Sequence, residues 1–177
     1  MFGPETIVTE RLRLRLATAA DIDLLHDLWT DPEVRRYLWD GEVISRDTAA
    51  ETIADFVDGI AKQRYGLWIA ALADESSGVR GENVVGFGYL KEFGEPVELE
   101  LGYGLDPQYW HRGYATEIAR ALLRFGFDRL GRTRLYARTD LPNGASVRVM
   151  ERVGMRFDQQ TDEGVFGGLL TFVLDRD

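Results

Sequence analysis

Leucine and arginine alternate from Arg11 to Leu16, so Leu12, Leu14 and Leu16 fall on one face of a strand and the arginines on the other. After this strand the period changes. Thr18 and Asp21 have capping-box spacing, and Ile22, Leu25, Leu28 and Trp29 recur at helical intervals until Asp31-Pro32 stops them. Thr48 and Glu51 repeat the capping spacing ahead of a stripe of Ile53, Phe56, Val57 and Ile60, which predicts a second helix. An aromatic-rich connection, Tyr37 to Trp39, joins the two. Three apolar segments follow, Leu67 to Leu72, Val84 to Leu90 and Val97 to Leu105. The turns between them are short enough for an antiparallel meander. Ala115 to Leu130 predicts an amphipathic helix stopped by Gly131, and Leu135 to Thr139 a strand. Pro142-Asn-Gly144 turns the chain into a short helix from Ala145 to Val153, closed by Gly154. One or two strands end the chain, Met155 to Phe157 and Leu169 to Leu174. A meander joined to a strand–helix–strand crossover predicts an α+β fold with a mixed sheet, and the crossover around the Ala115 helix is expected to be right-handed. With no linker, composition shift or repeat, residues 1–177 are read as a single domain.

Composition narrows the chemistry. Among 177 residues there is no Cys, which excludes a disulfide framework, a thiol nucleophile and a cysteine zinc site, and only two His, so no metal is expected. A net charge of −9 argues against nucleic acid as a partner. No apolar run is long enough to span a membrane and no secretory signal is legible, so a cytoplasmic, soluble protein is expected.

The segment Asp106 to Thr116 joins a strand to a helix, with Gly113 and Ala115 leaving the backbone accessible where the helix begins. The first N–H groups of a helix lack intrahelical partners and lie at the positive end of its dipole, so this is an anion site in outline. It could equally be an ordinary turn. The spacing of a P-loop is absent, and so is a G-x-G-x-x-G leading into a helix.

The run Tyr109-Trp-His-Arg-Gly-Tyr-Ala-Thr-Glu117, followed by Asn143-Gly-Ala-Ser146 and Val153-Gly-Met155, resembles the GCN5-related N-acetyltransferase (GNAT) superfamily, nearest its RimJ/RimL-like branch. Thr9-Glu-Arg-Leu-Arg-Leu14, the Asp31-Pro-Glu-Val34 turn and the element order extend the resemblance over essentially the whole chain. It implies a single GNAT-like domain with a central mixed, mostly antiparallel, twisted sheet flanked by helices. It also implies acetyl transfer from acetyl-CoA, as cosubstrate, to a primary amine on a protein N-terminus or a small molecule. Homodimers are common among such proteins, although no self-complementary patch is legible here.

Carried over residue by residue, the family's pyrophosphate loop maps onto Trp110 to Ala115, with Trp110 where the general pattern has Gln or Arg. The resemblance assigns cofactor binding to the backbone of Arg112, Gly113, Tyr114, Ala115 and Thr116, to Leu105 for the pantetheine arm, and to Asn143 and Ser146. Attack on a thioester requires a neutral amine and stabilisation of the oxyanion and departing thiolate. Glu98 and Glu100 share a strand face, and the resemblance favours Glu100 as base. Met150 stands where many relatives have a proton-donating tyrosine, which leaves the Ser146 hydroxyl, water or unaided departure of the thiolate. Ser146 reads equally as a helix-start hydrogen-bonding residue. His111 has a suitable intrinsic pKa but reads as solvent-facing, and His26 as a surface residue. Trp29, Tyr37 and Trp39 are read as core or as the border of an acceptor groove, and Trp68 as core. The departure at Met150 also motivates an alternative, a non-catalytic acyl-CoA-binding sensor. A purely structural protein would instead make the loop an ordinary turn.

Overall fold

The computed structural model describes residues 6–62, 64–73 and 83–176. Its elements run β1 (Ile7–Val8), β2 (Leu12–Leu16), α1 (Ile22–Thr30), α2 (Arg46–Ala61), β3 (Gly66–Leu72), β4 (Val84–Phe93), β5 (Glu98–Leu105), α3 (Tyr114–Asp128), β6 (Arg134–Asp140), α4 (Gly144–Arg152), β7 (Arg156–Thr161) and β8 (Leu169–Asp175). Among the described residues eight strands form one sheet in the order β1-β2-β3-β4-β5-β6-β8-β7. Every neighbouring pair is antiparallel except β5 and β6, which the α3 crossover makes parallel. The expected meander and mixed sheet are both present.

The leucines of β2 are fully buried at Leu12 and Leu14 while Arg11 and Arg13 face water, as the alternation requires. Two helical layers cover the sheet. On one face α3 buries Ile118, Leu122 and Phe125, and the Phe125 ring meets Trp68 edge-on at 4.9 Å. The approach is close because Gly88 has no side chain: a Cβ there would sit 2.6 Å from Ile118 Cγ2. On the other face Phe56 of α2 packs against Tyr65 and Tyr89, and Trp29 of α1 against Phe87.

Local chemistry refines several sequence expectations. The Thr18–Asp21 capping box is formed, and it caps a short 3-10 turn (Ala19–Asp21) leading into α1. At α2 the cap is Ser45 rather than Thr48. Ser45 has an extended backbone and accepts from Thr48 N–H, whereas Thr48 already lies inside the first turn. Helix α3 stops at Asp128, and Gly131 follows with φ 65°, a conformation glycine takes without steric cost. Strand β7 extends to Thr161 through polar Asp158, Gln159 and Gln160, because ladder pairing with β8 outweighs the missing hydrophobic pattern.

One irregularity positions the site. Strands β5 and β6 pair at Glu100 with Tyr136 and at Leu101 with Ala137, and the pairing ends there. Beyond it β5 bonds only to β4, through Leu105, and β6 only to β8, through Asp140. Among the described residues, the edge of β5 from Gly102 to Leu105 that faces β6 therefore has no strand partner.

Candidate active site

At the open end of this split lies a cavity of about 620 Å³, within the ordinary range for small-molecule sites. Its walls come from the end of β5, the loop into α3, the start of α4 and the turn after α1. The loop is shaped by its own backbone. Asp106 caps a short turn by accepting from Gln108 N–H, His111 and Gly113 adopt left-handed conformations (φ 61° and 82°), and α3 starts at Tyr114. The free N–H groups of the first turn of α3 then open towards a wall made of Gly113, Ala115 and Thr116.

Of the eight residues assigned to cofactor binding, six line this cavity: Leu105, Gly113, Ala115, Thr116, Asn143 and Ser146. The side chains of Arg112 and Tyr114 are used elsewhere. The Arg112 guanidinium lies over the Tyr109 ring at 5.7 Å, and Tyr114 stacks under Arg11 at 4.6 Å. Trp110, the departure from the general loop pattern, donates from its indole Nε1 to the Leu105 carbonyl at 3.0 Å, tying the loop to the end of β5.

Asn143 caps α4, its Oδ1 accepting from Ser146 N–H at 3.2 Å. The capping task that Ser146 could have served is thus taken, and its hydroxyl lies 2.9 Å from the phenol of Tyr103 across the split. Burial pushes the Tyr103 phenol up to about 12. Tyr103 is a cavity-wall residue that sequence reasoning missed. Met150, by contrast, is buried in the core and lines no part of the cavity.

Glu100 is not on the cavity wall. It sits where β5 and β6 last pair, and Arg138 of β6 donates from Nε to its Oε2. Its face of β5 is the one that α2 covers: Glu100 pairs with Lys91, whose Nζ lies over the Phe56 ring. Tyr103 pairs with Gly88 and shares the opposite face with α3. His111 lines the cavity, and His26 Nε2 meets the Ile44 carbonyl at 3.1 Å, joining α1 to the chain ahead of α2. Of the three aromatics after β2, Trp29 is core, with Trp39 packed against it at 5.7 Å, and Tyr37 lines the cavity. Trp68 is fully buried, as expected.

The wall is electropositive within a chain of net charge −9, carrying Arg36, Arg148 and Arg152 against, among the described residues, the single carboxylate of Glu33. Guanidinium groups beside an open helix N-terminus suit phosphate groups, and an unpaired strand edge suits an extended arm that carries amides. Coenzyme A has both. At the far end of β6, burial and the charge of Asp40 hold the Asp140 carboxyl above its ordinary value.

These features suit a coenzyme A-dependent acyltransferase, and the sequence relationships name the family. Residues 11–156 match the family model of the acetyltransferase (GNAT) domain, and the chain belongs to that family, whose members transfer an acetyl group from acetyl-CoA to an amine. It is 31% identical over 150 residues to the N-acetyltransferase YnaD of Bacillus subtilis, covering 85% of this chain and 82% of that one. In fold it is similar to an acetyltransferase from Agrobacterium tumefaciens, with a TM-score of 0.80, 25% identity and 99% and 97% of the two chains covered. It is similar also to RimL, a ribosomal L7/L12 α-N-protein acetyltransferase solved with coenzyme A, with a TM-score of 0.79, 17% identity and 97% and 98% coverage. Among the described residues no helix is long and apolar enough to cross a membrane.

Proposed function

We propose that the protein acetylates a primary amine by direct attack on acetyl-CoA in a ternary complex, the acceptor being a protein N-terminus or a small amine. One observation carries this reading: a single cavity joins an open helix N-terminus, an unpaired strand edge and the paired hydroxyls of Tyr103 and Ser146. In it the N–H groups of Gly113 to Thr116 would hold the pyrophosphate, with Arg148 and Arg152 adding charge. The β5 edge and Asn143 would align the pantetheine arm.

Glu100 is the base we assign, acting through water at the closed end of the split, with Arg138 as its counter-ion. A carboxylate there meets the amine from the α2 face of β5, opposite the face of Tyr103. Asp40 and Asp140 add attraction for a cationic acceptor on that side. The activity that RimL's name describes makes peptide N-termini the first acceptors to try.

The alternative, a sensor that binds acyl-CoA without turnover, drew its support from Met150. A hydroxyl pair elsewhere on the wall weakens it. The test is free-thiol release from acetyl-CoA against peptides with varied N-terminal residues, polyamines and aminoglycosides. Binding is confirmed first by thermal shift, since a ligand at 100 times its dissociation constant stabilises by about 2.7 kcal/mol. Turnover with any acceptor supports the transferase. Binding without turnover across the panel favours the sensor, and no thermal shift returns the loop to an ordinary turn.

A further inference from the structure

We propose that Tyr103 is the proton source for the departing thiolate, acting through the hydroxyl of Ser146, so that β5 supplies the group that α4 lacks at Met150. The inference rests on the transferase reading above and gives the hydroxyl pair on the cavity wall a part in the chemical step.

The geometry is specific. The Tyr103 hydroxyl has two acceptors within reach, Ser146 Oγ at 2.9 Å and the Ser146 carbonyl at 3.3 Å. When the phenol donates to Oγ, the serine's own proton is left to point into the cavity that both residues line. Asn143 already caps α4, so the serine hydroxyl has no structural task there. The pair lies beside the β5 edge that has no strand partner, on the α3 face, while Glu100 lies on the α2 face at the closed end of the same split. Acid and base therefore flank β5 from opposite sides, as a reaction needs when amine and thioester approach from opposite sides.

The step balances as follows. The amine lone pair forms the C–N bond and the electrons of the C–S bond leave on sulfur. The serine proton passes to sulfur and the phenol proton to the serine oxygen, while the surplus proton on nitrogen goes to Glu100 through water and then to solvent. Tyrosinate is a stronger base than a thiolate, so solvent reprotonates the phenol at once and resets the pair. Because burial keeps the phenol protonated throughout the neutral and mildly alkaline range, the proton is present at every working pH.

The experiment compares wild type, Tyr103→Phe, Ser146→Ala and the double variant in the full chain, with an acceptor from the panel that turns over. We expect Tyr103→Phe to lower kcat about 100-fold, by the same factor from pH 7 to 9, with KM for acetyl-CoA and the CoA thermal shift unchanged. Ser146→Ala should match it, and the double variant should be no slower than the slower single one, because one route has been cut twice. Ser146 sits at the start of α4, and its truncation keeps the test available should the tyrosine variant fold poorly. A Tyr103→Phe enzyme with wild-type kcat, a loss of kcat accompanied by loss of the CoA thermal shift, or losses that multiply in the double variant would each overturn the proposal. Wild-type binding without any turnover would overturn the transferase reading and this inference with it, whereas normal turnover in the variants would overturn this inference alone.

Discussion

Arg11 donates twice to the Glu117 carboxylate, from its backbone N–H to Oε1 and from its side-chain Nε to Oε2, both at 2.8 Å, although 106 residues separate the two. Thr9 Oγ1 donates to Oε1 at 2.6 Å, and Arg11 Nη1 reaches on to the Arg112 carbonyl at 2.9 Å. The β1–β2 turn thus holds both the first turn of α3 and the loop that precedes it. Burial acts to raise the Glu117 pKa, but the hydrogen bonds from Thr9 and Arg11 outweigh it and hold the carboxyl below its ordinary value. Glu117→Gln keeps the shape and loses the charge. It should raise KM for acetyl-CoA about tenfold, the equivalent of ~1.4 kcal/mol, with kcat nearly unchanged, measured by steady-state kinetics. A carboxyl with a depressed folded pKa stabilises above the ordinary carboxylate value and loses that contribution as pH falls through the lowered one. In wild type, therefore, coenzyme A affinity should hold at neutral pH and weaken only as pH falls through that lowered value, below the ordinary carboxylate range.

Gly113 precedes α3 with φ 82°, and a Cβ at that position would meet nothing nearer than Arg11 Nη2 at 3.5 Å. The obstacle to a side chain is backbone conformation rather than space. Gly113→Ala should cost about 1–2 kcal/mol of stability. It should also raise KM for acetyl-CoA, because relief of the strain turns the first N–H groups of α3 away from the cavity. Calorimetric unfolding and initial rates, measured on the same preparation, check both effects.

Asp21 is 5% exposed and accepts from Arg15 at 2.9 and 2.7 Å and from Thr18 N–H at 2.8 Å. Burial raises its pKa, the bonds from Arg15 and Thr18 lower it, and the net direction is down. Asp21→Ala removes the carboxylate that accepts from Arg15 and Thr18 and with it half of the capping box, so about 2 kcal/mol should be lost. For a chain of this length that is roughly 4–8 °C in Tm. The contribution is present at neutral pH and disappears as pH falls below about 4, so the wild-type and variant melting curves should converge in acid.

Elements with strong periodicity were legible: the Leu-Arg alternation of β2, the stripe of α3, and Gly131 and Gly154 as stops. Two-residue β1 has no period to detect. Thr48 heads a capping-box spacing with Glu51 and Ser45 heads none, so only the extended backbone at Ser45 identifies it as the cap. The cavity wall was readable wherever it is one continuous stretch, as in Gly113 to Thr116. It was not readable where the partners lie far apart in sequence. Tyr103 and Ser146 are 43 positions apart, and Arg138 and Glu100 are 38 apart. Strand alternation did place Tyr103 on the face of Leu99 and Leu101, which was the one available signal that it turns inward. That α4 would stand opposite depends on β5 and β6 parting after Leu101, which no local pattern encodes.

Glu100 is the assigned base that departs furthest from a simple site, because it is ion-paired and stands off the cavity wall. If it accepts the amine proton through water, Glu100→Gln should lower kcat about 100-fold at neutral pH. The deficit should shrink as pH approaches the pKa of the acceptor amine, where solvent supplies the neutral form. The lone charge left on Arg138 also costs stability, so the double variant Glu100→Gln with Arg138→Gln serves as the control. If it regains the Tm but not the kcat, the loss is chemical; if it regains both, Glu100 matters through its ion pair and the base lies elsewhere.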